Sequence, residues 1–198
     1  MTNDEGRLAR VHALFNDEAL RTMLTQLRVP LGVAGAALLL WIFPPRTEWY
    51  WPAFAVSMAG ALVQTWCFAS LHKKRELACR GPYAFVRNPM YLGRFFLVGG
   101  ALLLTGQPWI LLPYAGFYYF YMVNRVKREE AVLAPIFGER YANYCTEVPR
   151  FWPRLAPYQR NTVAYFRWSL FLKNNGHWNL IAVIAFYAAT GWLIFVTR

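Results

Sequence analysis

Residues 80–94 read RGPYAFVRNPMYLGR, and their interpretation decides the fold. Gly81-Pro82 is a turn signal, and Pro89 biases Asn88 away from helix directly before a new apolar run. Pro89 itself suits the first turn of a helix starting near Met90, where its missing N–H costs little. A broken, arginine-rich segment entering an oily run is the pattern of a membrane boundary. At membrane depth such irregular backbone survives only where protein or a water-filled cavity satisfies its polar groups. Amides at that helix start, with Arg87 and Arg94 nearby, would suit an anionic ligand group. Topology alone also accounts for the arginines.

Composition extends this reading outward. The 198 residues are 57% hydrophobic and 18% aromatic, rich for a soluble domain. The formal charge is +11, but the basic residues lie between apolar runs rather than on one polar face, so no nucleic-acid partner is expected. Cys67, Cys79 and Cys145 lack ligand spacing, and His12, His72 and His177 are scattered, so no metal site is expected. Residues 1–28 lack a signal-peptide pattern and read as an interfacial helix.

Five apolar runs, about 29–43, 52–71, 90–105, 108–124 and 178–197, are candidates for crossing a bilayer. The third and fourth are separated by GQP and form a tight helical hairpin, while PPRTEWYWP makes an aromatic turn between the first two. Lysine and arginine are dense in 73–87 and 125–173 and scarce at the turns around Arg46 and Gln107. The positive-inside rule therefore places the N-terminus and both basic segments in the cytoplasm, with Arg198 outside. The segment 125–177 holds no spanning run, and amphipathic parts such as YFRWSLFLK are expected in the interface. The expectation is an all-α, polytopic membrane helix bundle of about five spans. It forms one domain over 1–198, with its chemistry in 75–153 and an interfacial segment plus final span in 154–198.

Carboxylates are scarce beyond Glu18: Glu48, Glu76, Glu129, Glu130, Glu139 and Glu147. Charge near hydrocarbon is costly unless paired or hydrated, which singles out Glu129 and Glu130 at the end of FYYFYMVNRVKREE. Arg125 and Glu129 are four residues apart and share a helix face, as a ligand site or as a surface ion pair worth about 0.2–0.5 kcal/mol.

The blocks GPYAFVRNPMYLG and NRVKREEAVLAPIFGERYANYCTEVPRFWP, in order on either side of a helical hairpin, resemble the isoprenylcysteine carboxyl methyltransferase family and its phospholipid methyltransferase relatives. The resemblance covers about residues 75–153. It implies S-adenosylmethionine as methyl donor, held at the cytoplasmic end of the bundle, and a lipophilic acceptor arriving from the membrane lipids. By motif position, the cofactor contacts fall on Tyr83, Asn88, Pro89, Met90, Tyr91 and Glu129, with Leu77, Ala78 and Glu130 beside them. The catalytic, acceptor-side arginine falls on Arg125. Many relatives have histidine where this chain has Asn88, and asparagine can hydrogen-bond a cofactor but not accept a proton. The resemblance favours O-methylation of an isoprenylcysteine-carboxylate-like acceptor, while phospholipid amine, small thiol and unrelated lipid acid acceptors stay open. So do two other readings: a nicotinamide-dependent, sterol-reductase-like enzyme, and a noncatalytic protein binding anionic lipid through its basic loops.

Overall fold

The computed structural model describes residues 9, 11–13, 16–72, 76–158 and 162–196. Arg198 and most of the expected N-terminal helix up to residue 15 lie outside them. Among the described residues the protein is all-helical: α1 (Glu18–Ile42), α2 (Thr47–Ser70), α3 (Pro89–Leu103), α4 (Leu111–Glu147), α5 (Trp168–Lys173) and α6 (Gly176–Phe195), with 3-10 turns at Gly81–Ala84 and Pro108–Ile110.

The centre is an antiparallel pair, α2 against α3, made close by glycine. A Cβ on Gly60 would stand 2.4 Å from the Gly93 carbonyl oxygen and 2.5 Å from the Leu97 nitrogen; one on Gly100 would stand 2.5 Å from the Ser57 nitrogen. The two backbones touch only because those atoms are missing. Ser57 Oγ uses the closeness to donate to the Leu97 carbonyl at 2.7 Å. Helix α6 lies antiparallel along α2 and is joined to it by hydroxyls. Tyr50 donates to the Tyr187 carbonyl at 2.8 Å, and the Tyr187 hydroxyl bonds the Ala53 carbonyl at 2.9 Å and Ser57 Oγ at 2.7 Å. These bonds satisfy polar atoms inside an apolar core of Tyr50, Ala53, Ala61, Leu104, Val183, Tyr187 and Ile194.

Among the described residues two helices, α2 and α6, are long and apolar enough to cross a membrane. Their outward faces carry exposed apolar side chains, among them Trp51, Leu62, Ile181, Ile184 and Trp192, a perimeter that suits lipid better than water. The expectation of five spans is met only in part. Helix α3 has 15 residues, short of the roughly 20 needed. The first run is not a separate element, because α1 stays helical through Pro30. Proline's fixed φ is itself helical, and it forfeits a single hydrogen bond there. The fourth run continues without interruption into the Arg125–Glu130 segment, so one helix carries both the aromatic run and the charges.

The GQP turn and the aromatic turn sit together at one end of the bundle. Arg46 N–H donates to the Leu104 carbonyl at 2.9 Å, and the Arg46 side chain lies over Gly106, whose φ is +66°. The opposite end gathers the C-terminus of α2, the 76–88 link, the start of α3 and the lower half of α4. Asn174 closes it by donating to the Phe68 and Leu71 carbonyls at 2.8 and 2.9 Å.

Candidate functional site

At that irregular end the chain encloses a cavity of about 310 Å3. Its walls come from Phe68 in the last turn of α2 with Leu71 and His72 just after it, from the link at Glu76–Ala78, from Tyr83, Arg87, Asn88, Met90 and Tyr91, and from Glu129, Glu130, Leu133, Phe137, Tyr141 and Tyr144 of α4. Two backbone devices make this possible. Gly81, at φ +59°, turns the link where a Cβ would strike Ser70 Oγ at 2.4 Å. Gly138, at φ 52° and ψ −132°, breaks α4 after Phe137, so the last turns are redirected while helical pairing resumes. Tyr144 then reaches back, and its hydroxyl donates to the Tyr83 carbonyl at 2.7 Å. Burial pushes the hydroxyls of Tyr83 and Tyr144 well above the usual tyrosine range, so both stay protonated donors at neutral pH.

The expected cofactor residues converge. Leu77, Ala78, Tyr83, Asn88, Met90, Tyr91, Glu129 and Glu130 all line this cavity; Pro89 is buried in the first turn of α3 and does not. Arg125 stands behind the wall. Its Nε donates to Glu129 Oε1 at 2.9 Å and to the Tyr91 hydroxyl at 3.3 Å, and the Tyr91 hydroxyl donates to the same Glu129 oxygen at 2.7 Å. Glu129 is thus oriented by an arginine and a phenol, with its side chain still 42% exposed.

Glu130 has different surroundings. Arg87 Nη1 reaches its Oε1 at 3.0 Å, while Arg150 approaches with Nε at 3.2 Å from Oε1 and Nη2 at 2.5 Å from Oε2. Two arginines on one carboxylate leave a net positive cluster, and Arg87 Nε is buried there without a hydrogen-bond partner. Arg87 was expected only as a helper to the amides at the start of α3, and Arg150 was not among the expected site residues. The signal lay in the excess of arginine over acid in the two blocks, which topology alone seemed to absorb.

Asn88 has a definite role. Its Nδ2 donates to the Arg150 carbonyl at 3.2 Å. A histidine N–H could make the same donation, so asparagine at this position supplies the donor and lacks only proton acceptance.

A second cavity, of about 320 Å3, adjoins the first. It is walled by Leu92, Phe95, Ala115, Tyr118, Tyr119, Met122, Phe151 and Trp152, and Asn88 belongs to both cavities. Its lining is largely apolar, and it lies between α3, the upper part of α4 and the loop after Val148. No residue pattern pointed to it, since it arises from three separated segments.

Among the described residues no group of histidine, cysteine and carboxylate side chains is placed to hold a metal ion. An all-helical, membrane-type core with a polar cavity at one end and an apolar cavity beside it is the class defined by the fold and site. Residues 50–140 match the family model described as phospholipid methyltransferase. The chain is 30% identical over 100 residues to a protein-S-isoprenylcysteine O-methyltransferase of Schizosaccharomyces pombe, covering 50% of this chain and 42% of that protein. It is 33% identical over 73 residues to the Homo sapiens protein of the same name, covering 37% and 26% of the two chains. A cobalt-zinc-cadmium resistance protein of Cupriavidus metallidurans is 27% identical over 111 residues, covering 55% of this chain and 51% of that one. The matches thus span between about a quarter and a half of these relatives' own lengths. No solved structure matches. Over the segment that carries its cavity, the chain is similar to phospholipid methyltransferases and to isoprenylcysteine O-methyltransferases.

Proposed function

We propose that this protein transfers a methyl group from S-adenosylmethionine to a lipophilic acceptor that partitions into the membrane. The observation that carries the reading is the pair of cavities meeting at Asn88, one charged and aromatic, the other apolar. The first has the volume of a small-molecule site. Its donor set fits the cofactor chemically: Glu129 and the aromatic faces of Tyr83, Tyr91 and Phe137 suit a cationic group, and the unpartnered Arg87 Nε suits a carboxylate. Leu77 and Ala78, outside any helix in the cavity wall, would complete the hold on a planar base. When bound, the cofactor supplies an electrophilic methyl on a sulfonium.

The protein's own task is then positioning. Tyr91 and Arg125 fix Glu129, so that its carboxylate is directed rather than free to rotate. Asn88 marks the passage through which an acceptor atom and the methyl would be aligned at about 3–3.5 Å, and alignment of that kind supplies much of a methyl transfer's acceleration. The apolar lining of the second cavity suits the hydrocarbon part of the acceptor and keeps bulk water from that side. Arg125, behind Tyr91, would act on an anionic head group while favouring the transition state over the bound ground state. The membrane orientation consistent with this puts the cavity end, with its arginines, on the cytoplasmic side and the GQP and aromatic turns outside. The topology extends to five crossings if α1, α3 and α4 complete the spans.

Calorimetric titration of the purified protein with S-adenosylhomocysteine and with NADPH tests the cofactor. Binding of the first and not the second is expected; the reverse sinks the methyltransferase reading in favour of a reductase. Incubation of methyl-labelled S-adenosylmethionine with membrane lipid extract, followed by identification of the labelled atom, then defines the acceptor as oxygen, nitrogen or sulfur.

A further inference from the structure

The segment after Val148 is bound to the rest of the site as a strap, by backbone and side chain together. Arg87 N–H donates to the Pro149 carbonyl at 3.0 Å, Arg154 N–H to Phe85 at 2.9 Å and Tyr158 N–H to Ala84 at 2.8 Å. Arg154 Nη1 also donates to the Glu147 carbonyl at 3.0 Å. The strap therefore runs beside residues 84–87, whose neighbours Tyr83 and Asn88 line the first cavity. It also carries Phe151 and Trp152, which form a wall of the second. Between those two functions stands Arg150. Its guanidinium holds Glu130 through two nitrogens, its carbonyl receives Asn88 Nδ2, and it is stacked toward the Phe151 ring at 6.0 Å.

Resting on the methyltransferase reading, we propose that Arg150 is a positioning residue for acceptor use. By clamping Glu130 and accepting Asn88, it fixes the strap so that Phe151 and Trp152 close the apolar cavity against the cofactor cavity. Glu130 is then an anchor for the strap, whereas its neighbour Glu129 faces the cofactor. A planar, two-point arginine–carboxylate contact is geometrically specific in a way that a lysine's single point charge is not. Arg150 itself lines neither cavity; it acts through Glu130, Asn88, Phe151 and Trp152.

The test uses the full-length protein in detergent micelles, wild type beside Arg150→Gln and Arg150→Lys. Arg150→Gln is expected to raise the apparent KM for membrane lipid extract by about tenfold, while S-adenosylhomocysteine affinity stays within about twofold. Arg150→Lys is expected to recover part of the loss. Limited trypsinolysis reads the clamp without turnover, and cleavage after Arg154 is expected to accelerate several-fold in Arg150→Gln. An unchanged KM, or a kcat loss with unchanged KM, overturns the positioning role, and unchanged cleavage after Arg154 overturns the clamp. If the wild type neither binds S-adenosylhomocysteine nor methylates the extract, the functional reading itself fails and takes this inference with it; wild-type binding and transfer with silent Arg150 variants sink the inference alone.

Discussion

The two ends of α3 are built on opposite principles. From Gly93 to Gly100 the helix is pressed against α2 with glycines at the close contacts, and the hydroxyls of Ser57, Tyr50 and Tyr187 meet their partners inside apolar packing. Before Tyr91 the chain is broken by Gly81, Pro82 and Pro89, and cohesion comes from arginines, carboxylates and strap hydrogen bonds. The glycine seam has no room for change and no ligand to hold. The arginine end is adjustable and contains both cavities. Rigid packing at one end lets a charged, irregular site be held at the other.

The largest effect should come from filling the seam. Gly60→Leu places its Cβ within 2.5 Å of backbone at Gly93 and Leu97, which no rotamer change relieves. Overpacking of that kind costs about 1–3 kcal/mol where neighbours can shift and more against backbone. Loss of folded, monodisperse protein on size exclusion is expected; a variant with wild-type thermal stability would show that the helices can part freely and that the contrast is false.

Next come the adjacent glutamates, which divide the two kinds of role within the site. Glu130 and Arg87 side chains are each 15% exposed, so Glu130→Gln strands two arginines and should lower stability by about 3 kcal/mol. Glu129 is paired with Arg125 on a half-exposed face, where such a pair contributes less than about 1 kcal/mol. Glu129→Ala should therefore leave the melting temperature nearly unchanged and weaken S-adenosylhomocysteine binding at least tenfold. Thermal melts and calorimetry on both variants check this, and equal effects on both quantities would erase the distinction.

The same pair shows how far local reading reaches. Tyr91 entered only through the resemblance of its block to a known family, whereas the Arg125–Glu129 pair was accessible from spacing, because an i,i+4 helical pair depends on short-range geometry. The hairpin at GQP and the break before Met90 were accessible for the same reason, since glycine and proline act on their immediate neighbours. The pairing of Glu130 with Arg150 crosses the break at Gly138. A glycine in a long helical pattern marks a site of freedom but not the direction the chain takes afterwards. The second cavity was hidden for a related reason: Leu92, Met122 and Trp152 are ordinary apolar residues until three segments place them together. The expected boundary at residue 28, set where the apolar run begins, is not a break in the helix, because α1 continues from Glu18 through Pro30 to Ile42.

Gly138 supplies a smaller perturbation. Its φ of 52° with ψ of −132° is strained for any residue with a Cβ, although nothing lies within 4 Å of the added atom. Gly138→Ala should cost about 1–3 kcal/mol from backbone strain alone. Tyr141 and Tyr144 depend on the redirected turns, so a several-fold loss of S-adenosylhomocysteine affinity is expected with it. Unaltered affinity would mean that the break serves packing and not the cavity.

The smallest effect tests whether the seam end is silent toward chemistry. Tyr187→Phe removes one hydroxyl that bonds both the Ala53 carbonyl and Ser57 Oγ, and leaves the ring in its contacts with Tyr50 and Phe54. A buried hydrogen bond of this sort contributes about 1 kcal/mol. Ser57 Oγ keeps its own bond to the Leu97 carbonyl, and the Ala53 carbonyl, as part of α2, keeps its helical partner, so no donor or acceptor is stranded outright. The expected outcome is a melting temperature a few degrees lower with S-adenosylhomocysteine affinity and apparent acceptor KM unchanged. If affinity falls in step with stability, the seam transmits strain along α2 to Phe68 and Leu71, and the two ends of the bundle work as one unit rather than as scaffold and site.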